Sequence, residues 1–110
     1  MRGPTNANPI GGNSGIKTLI DNTDFKVYRW GQMVFICFSG HTPSQINTPY
    51  YAIVDARVPR CINNVNASIR DGNVNFAGYI WINPHDYKIG IQSNTLSPID
   101  GSMAYITDDP

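Results

Sequence analysis

The chain has 110 residues and no net charge, with a charged fraction of 15% and a hydrophobic fraction of 41%. That suits one domain with one core, and it excludes the basic footprint expected of a nucleic-acid or anionic-membrane binder. No apolar run approaches the roughly 20 residues of a membrane span.

The residue choice points to strands. Asp supplies every acidic side chain, Glu is absent, and Leu occurs only at Leu19 and Leu96. Helix formers are therefore scarce, while Ile, Val and aromatic residues fit a pleated surface. Asn is frequent, as turns require.

Residues 1–15, with Pro4, Pro9, Gly11, Gly12 and Gly15, read as a flexible linker or neck remnant. The opening Met1-Arg2-Gly3-Pro4 lacks the apolar stretch of a signal peptide. An ordered domain is expected over residues 16–110. A short strand is predicted at Ile16–Ile20, and Asp21–Asp24 turns. Phe25–Trp30 alternates as a strand, and after Gly31-Gln32 the run Met33–Ser39 is apolar on both faces, as in a doubly buried strand. A polar loop over 40–49 contains His41.

Tyr50–Val58 alternates with Ala52, Val54, Ala56 and Val58 on one face. Tyr51, Ile53, Asp55 and Arg57 fall on the other. Pro59 ends that strand, and Arg60-Cys61 is expected in a loop. Val65–Arg70 and Asn73–Ile82 form a hairpin about Asp71-Gly72. Within it Tyr79 and Trp81 share one face, and Ile80 and Ile82 the other. Asn83–Asp86 turns, Tyr87–Gln92 is a strand, and Ser102–Thr107 is the last. About eight strands without a helix predict an all-β domain: an antiparallel β-sandwich, jelly roll or small β-barrel. Cys37 and Cys61 are expected to be buried free thiols.

Catalytic signatures are missing. There is no nucleophile elbow, phosphate-binding glycine loop or zinc-ligand spacing, so neither a catalytic residue nor a metal or cofactor is assigned. Surface aromatics beside amides and carboxylates are instead the chemistry of sugar recognition. A ring stacks on the apolar face of a sugar, and polar side chains bond its hydroxyls. The candidates on this ground are Trp30, Tyr51, Asp55, Arg57, Trp81, His85, Asp86 and Tyr87, with Tyr50 and Tyr79 nearby. Each has a structural alternative: core packing or a subunit contact for the aromatics, a cross-strand polar network for Asp55 and Arg57, an ordinary turn for His85-Asp86.

The order of segments resembles the C-terminal head domains of bacteriophage tail fibres and baseplate receptor-binding proteins. Tyr28-Arg29-Trp30-Gly31-Gln32-Met33-Val34 is similar to their opening strand pair. Val58-Pro59-Arg60 follows a strand, though without the usual second proline. Arg70-Asp71-Gly72-Asn73 supplies the hairpin, Tyr87-Lys88-Ile89-Gly90-Ile91 a later strand, and Gly101-Ser102-Met103-Ala104-Tyr105 the closing one. The resemblance spans about residues 16–107. It implies a homotrimeric head on an extracellular virion that adheres to host cell-wall polysaccharide or another surface glycan, with no nucleic acid and no membrane insertion. A carbohydrate-binding module of a larger enzyme and a purely structural virion or fibre domain are the competing expectations.

Overall fold

A computed structural model describes residues 15–84 and 87–110. The expected linker, apart from Gly15, and the candidates His85 and Asp86 lie outside the described residues. The strands are β1 (Ile16–Asp21), β2 (Phe25–Trp30), β3 (Met33–His41), β4 (Tyr50–Val54), β5 (Val65–Asp71), β6 (Phe76–Ile82), β7 (Lys88–Ser93) and β8 (Ile99–Ile106). All pair antiparallel in one sheet of order β1-β2-β3-β8-β5-β6-β7-β4. The expected eight-stranded all-β domain is thus built as a single curled sheet, a half-barrel, with no helix among the described residues.

The curl follows from the pattern of side chains. With no helix to cover it, one face of the sheet must wrap around its own apolar residues. Val27, Val34, Ile36, Ile69, Ile80, Ile82, Ile89, Ile91 and Ile99 fill the concave side and are fully buried. Their β-branched side chains are already restricted in rotamer, so ordering them costs little. Each contributes about 1.5–3 kcal/mol by leaving water.

The chain crosses from β3, third in the sheet, to β4, eighth, through residues 42–49. Polar side chains tie the two ends of this crossing. The Asp24 carboxylate lies 2.6 Å from His41 Nδ1, and Tyr50 Oη lies 2.7 Å from His41 Nε2. A carboxylate only accepts, so Nδ1 carries the proton and the Tyr50 hydroxyl donates to Nε2. Burial raises the Tyr50 phenol above its usual value, and hydrogen bonding with Ser44 partly offsets the rise. The phenol therefore stays a donor through the neutral range. Within the crossing, the Asn47 N–H donates to the Ser93 carbonyl at 2.7 Å. Asn47 has φ of 58° there, a left-handed conformation that Asn tolerates.

A second tie holds the end of the chain. The backbone N–H and guanidinium of Arg60 both bond the Asp109 carboxylate, at 2.8 and 2.9 Å. Arg29 donates to the carbonyls of Asp109 and Pro110. The Tyr105 hydroxyl donates to the Pro59 carbonyl at 2.6 Å.

Four expectations are corrected. The fourth strand stops at Val54, and a bulge between Tyr51 and Ile53 turns Tyr51 outward while Ile53 faces the core. Asp55 and Arg57 therefore lie in the turn beyond it, not on a strand face with Tyr51. The run beginning at Met33 is not doubly buried: Phe35 is 42% exposed, because none of the described residues covers the convex side of β3 there. Cys61 is buried as expected, but Cys37, on that convex side, is only half-buried. The hairpin turn does not rest on Gly72. Asp71 Oδ1 accepts the N–H groups of Asn73 and Asn75 at 2.8 and 3.0 Å, and Val74 takes the left-handed conformation at φ 60°. The returning strand consequently begins at Phe76 rather than Asn73.

A β-branched residue in that conformation is strained, and Val74 is 69% exposed with little packing to lose. Val74→Gly is expected to raise stability by about 1 kcal/mol, read as a higher urea midpoint at unchanged slope. Tyr50→Phe leaves His41 Nε2 without its donor and is expected to cost about 1–2 kcal/mol in the same measurement.

Candidate functional site

The convex face of β4, β7, β6 and β5 carries the aromatics. Alternation along β6 buries Ile80 and Ile82 and turns Tyr79 and Trp81 outward, as the sequence predicts. Register then sets their neighbours. One row across the sheet reads Asn66, Trp81, Gly90, Tyr51; the next reads Ser68, Tyr79, Gln92.

Gly90 decides the shape of the first row. A Cβ at that position would stand 2.3 Å from Trp81 Cε2 and 2.4 Å from Cζ2. The indole therefore lies across bare backbone, reaching from β6 over β7 toward Tyr51. Tyr51 is 49% exposed and Tyr79 is 50% exposed. The Lys88 ammonium sits 5.0 Å from the Tyr51 ring centroid, a cation–π contact that holds the ring at the end of the row. The side chains of Asn66, Ser68 and Gln92 are exposed and make no hydrogen bond among the described residues. The result is an aromatic surface with free amide and hydroxyl groups at its margin. It can offer CH–π stacking to an apolar ring face and hydrogen bonds to hydroxyls around it.

The predicted site residues divide accordingly. Trp81 and Tyr51 come together, with Tyr79 beside them. Asp55 and Arg57 pair with each other: Arg57 Nε and Nη2 donate to the two carboxylate oxygens at 3.0 and 2.7 Å, and the Arg57 N–H donates to Oδ1 at 2.8 Å. The guanidinium and these bonds hold the Asp55 carboxyl down at about 2. The pair thus stays ionised through any ordinary binding buffer, closes the turn after β4, and has its best hydrogen-bonding groups engaged. Tyr87 is next to this turn, its carbonyl accepting the Asp55 N–H at 2.9 Å and its ring 6.0 Å below the Arg60 guanidinium. Trp30 stands apart at the far end of β2, beside Gly15. It is exposed, but three strands, β3, β8 and β5, lie between β2 and Trp81 on β6.

Lys88, Asn66, Ser68, Gln92 and Gly90 escape a reading of the sequence by side-chain type. The signal for Gly90 is present: a glycine between Ile89 and Ile91 interrupts an otherwise apolar strand, which marks a place where something approaches the backbone closely.

No protein-family model, curated protein or solved structure matches the chain.

Gly90→Ala is expected to lift the indole off the sheet while leaving the core in place. The Trp81 ring protons in NMR, which lie over backbone in the parent, should lose their ring-to-Gly90 NOEs, with a thermal midpoint lowered by only a few degrees.

Proposed function

We propose that this chain is a saccharide-recognition domain that binds its ligand without chemical turnover. The observation that carries this reading is the flat Trp81 ring over Gly90, continued by Tyr51 and bordered by uncommitted polar groups. Stacking supplies affinity that depends on any pyranose presenting an apolar face. The Asn66, Ser68 and Gln92 side chains add selectivity, because a mismatched hydroxyl leaves a desolvated group unpaired at about 1–3 kcal/mol.

The resemblance of the segment order to phage tail-fibre and baseplate heads supports a more specific form of the proposal. In that form three copies assemble into a receptor-binding head on the virion, and the ligand is host cell-wall polysaccharide or another surface glycan. Phe35, Ile62 and Ile106 are half-exposed and leave apolar surface for such an assembly. Three modest sites on one head, and many heads on one particle, would then act by avidity. The same exposed platform also favours a second reading, a monomeric carbohydrate-binding module attached to an enzyme.

Two measurements separate these. Trp81→Ala and Tyr51→Ala are each expected to weaken retention on the best ligand of a glycan array by about tenfold or more, the value of one stacked ring at roughly 1–2 kcal/mol. Unchanged retention in both variants would remove the site. Light scattering at micromolar concentration is expected to give a trimer; a monomer that still binds glycan selects the module reading. A stable trimer without any array hit would instead favour a structural fibre domain.

A further inference from the structure

The convex face does not end at β5. There the β5–β8 ladder holds only where Ile69, Arg70 and Asp71 meet Gly101, Asp100 and Ile99. Beyond Gly101 the two strands part, until Cys61 bridges Thr107. At the paired end lies a cleft of about 630 Å³, within the size of small-molecule sites. Ser39, Ser68, Arg70, Phe76, Asp100 and Ser102 supply its chemistry.

These groups are largely uncommitted. Arg70 faces Asp100 across the strand pair, yet it makes no hydrogen bond or ion pair among the described residues. Asp100 spends one oxygen on the Gly40 N–H at 3.0 Å and keeps the other. The three serine hydroxyls make no hydrogen bond among the described residues either. Phe76, 54% exposed, offers a ring face. Guanidinium and carboxylate balance in charge. A free anion would meet Asp100 and a free cation would meet Arg70, so the cleft suits a neutral, hydroxyl-rich ring. Asp100 would accept from its hydroxyls, Arg70 and the serines would donate, and Phe76 would stack.

Phe76 also joins the cleft to the aromatic face. Its ring meets Tyr79 edge-on at 5.3 Å between centroids. A bulge at Ala77 makes this possible, because it brings Phe76 opposite Arg70 on the convex side while Gly78 stays opposite Ile69. From Tyr51 on β4 to Asp100 on β8 the path crosses β7, β6 and β5. Those four intervals make about 19 Å at the usual strand spacing, more than a single sugar ring spans.

We propose that the cleft is a further subsite on the same surface, so that the ligand is a neutral oligosaccharide of several units laid across the strands rather than one terminal sugar. This rests on the saccharide reading above. The test is an array of neutral gluco-, manno- and chito-oligosaccharides of one to six units, together with acidic uronic-acid oligomers. Titration calorimetry then follows the length series of the best hit. Affinity is expected to rise again between two and about four units. Arg70→Gln and Asp100→Asn are each expected to lower affinity for the four-unit ligand about tenfold, the effect of one lost bond to a charged group. Both should leave affinity for the two-unit ligand unchanged, a readout that also reports an intact fold. Trp81→Ala should weaken every length.

Affinity that is flat beyond two units, or both cleft variants binding the four-unit ligand like the parent, overturns the extended subsite and leaves the saccharide reading standing. Preference for the acidic oligomers overturns the neutral ligand. An array without hits overturns the saccharide reading and the subsite together.

Discussion

A lone sheet has no second layer to bury its apolar face, and every other property of this fold follows from how it meets that constraint. The sheet must curl until its own ends approach, and something must hold them. The chain does so by sending the connection after β3 to the opposite margin, so that β4 becomes the last strand and not the next one. His41 then bonds Asp24 on one side and Tyr50 on the other. The ring of His41 also stands edge-on to Phe25, 5.0 Å away, which couples the polar tie to the core. An imidazole suits this place because one nitrogen can donate while the other accepts.

Curling has the opposite effect on the other side. Side chains on a convex face diverge, and no element among the described residues packs on them. Aromatics placed there remain half-exposed: Phe35, Phe76, Tyr79 and Tyr51. What varies along this face is the polar company they keep. Around β6 it is amide, hydroxyl and ammonium; at β5 and β8 it is Arg70 and Asp100; around β3 it is Tyr28, Ala104 and Ile106 across the ladder. A single physical situation thus yields two kinds of surface, one with polar groups among its aromatics, the other mainly apolar.

The strand inventory was legible because strong local signals agreed. Ile-rich alternation over Tyr79–Ile82, turn residues at 21–24 and the absence of helix formers all pointed the same way. Two local differences stand out, one in a strand and one in a turn. The bulge after Tyr51 inverts the phase at Ile53 and the strand ends at Val54, so Asp55 and Arg57 lie in the turn and not on the face where alternation places them. The Asp71-Gly72 pair marked the hairpin correctly but for the wrong reason, since the aspartate side chain and Val74 shape the turn. The sheet order was beyond reach, because β3 pairs with β8 across more than half the chain. For the same reason the meeting of Trp81 with Gly90 was invisible: it depends on which strand lies next to β6, which no local pattern states. Trp81 and Tyr51 are candidates by residue type alone and share one row; Asp55, Arg57 and Trp30 meet the same criterion and lie apart from that row.

The glycine under Trp81 has a consequence for how such a surface can change. The indole rests outside the core, on main chain, so its removal would leave a trough floored by the peptide groups of β7 rather than a hole among the isoleucines. One substitution at position 81 therefore exchanges a raised, apolar shelf for a shallow channel floored by main chain already paired in the ladders, with the scaffold beneath untouched. The outer face and the interior that holds the fold are free to diverge at different rates. A surface built in this way can change its shape and polarity in one step, and none of those changes asks the sheet to refold.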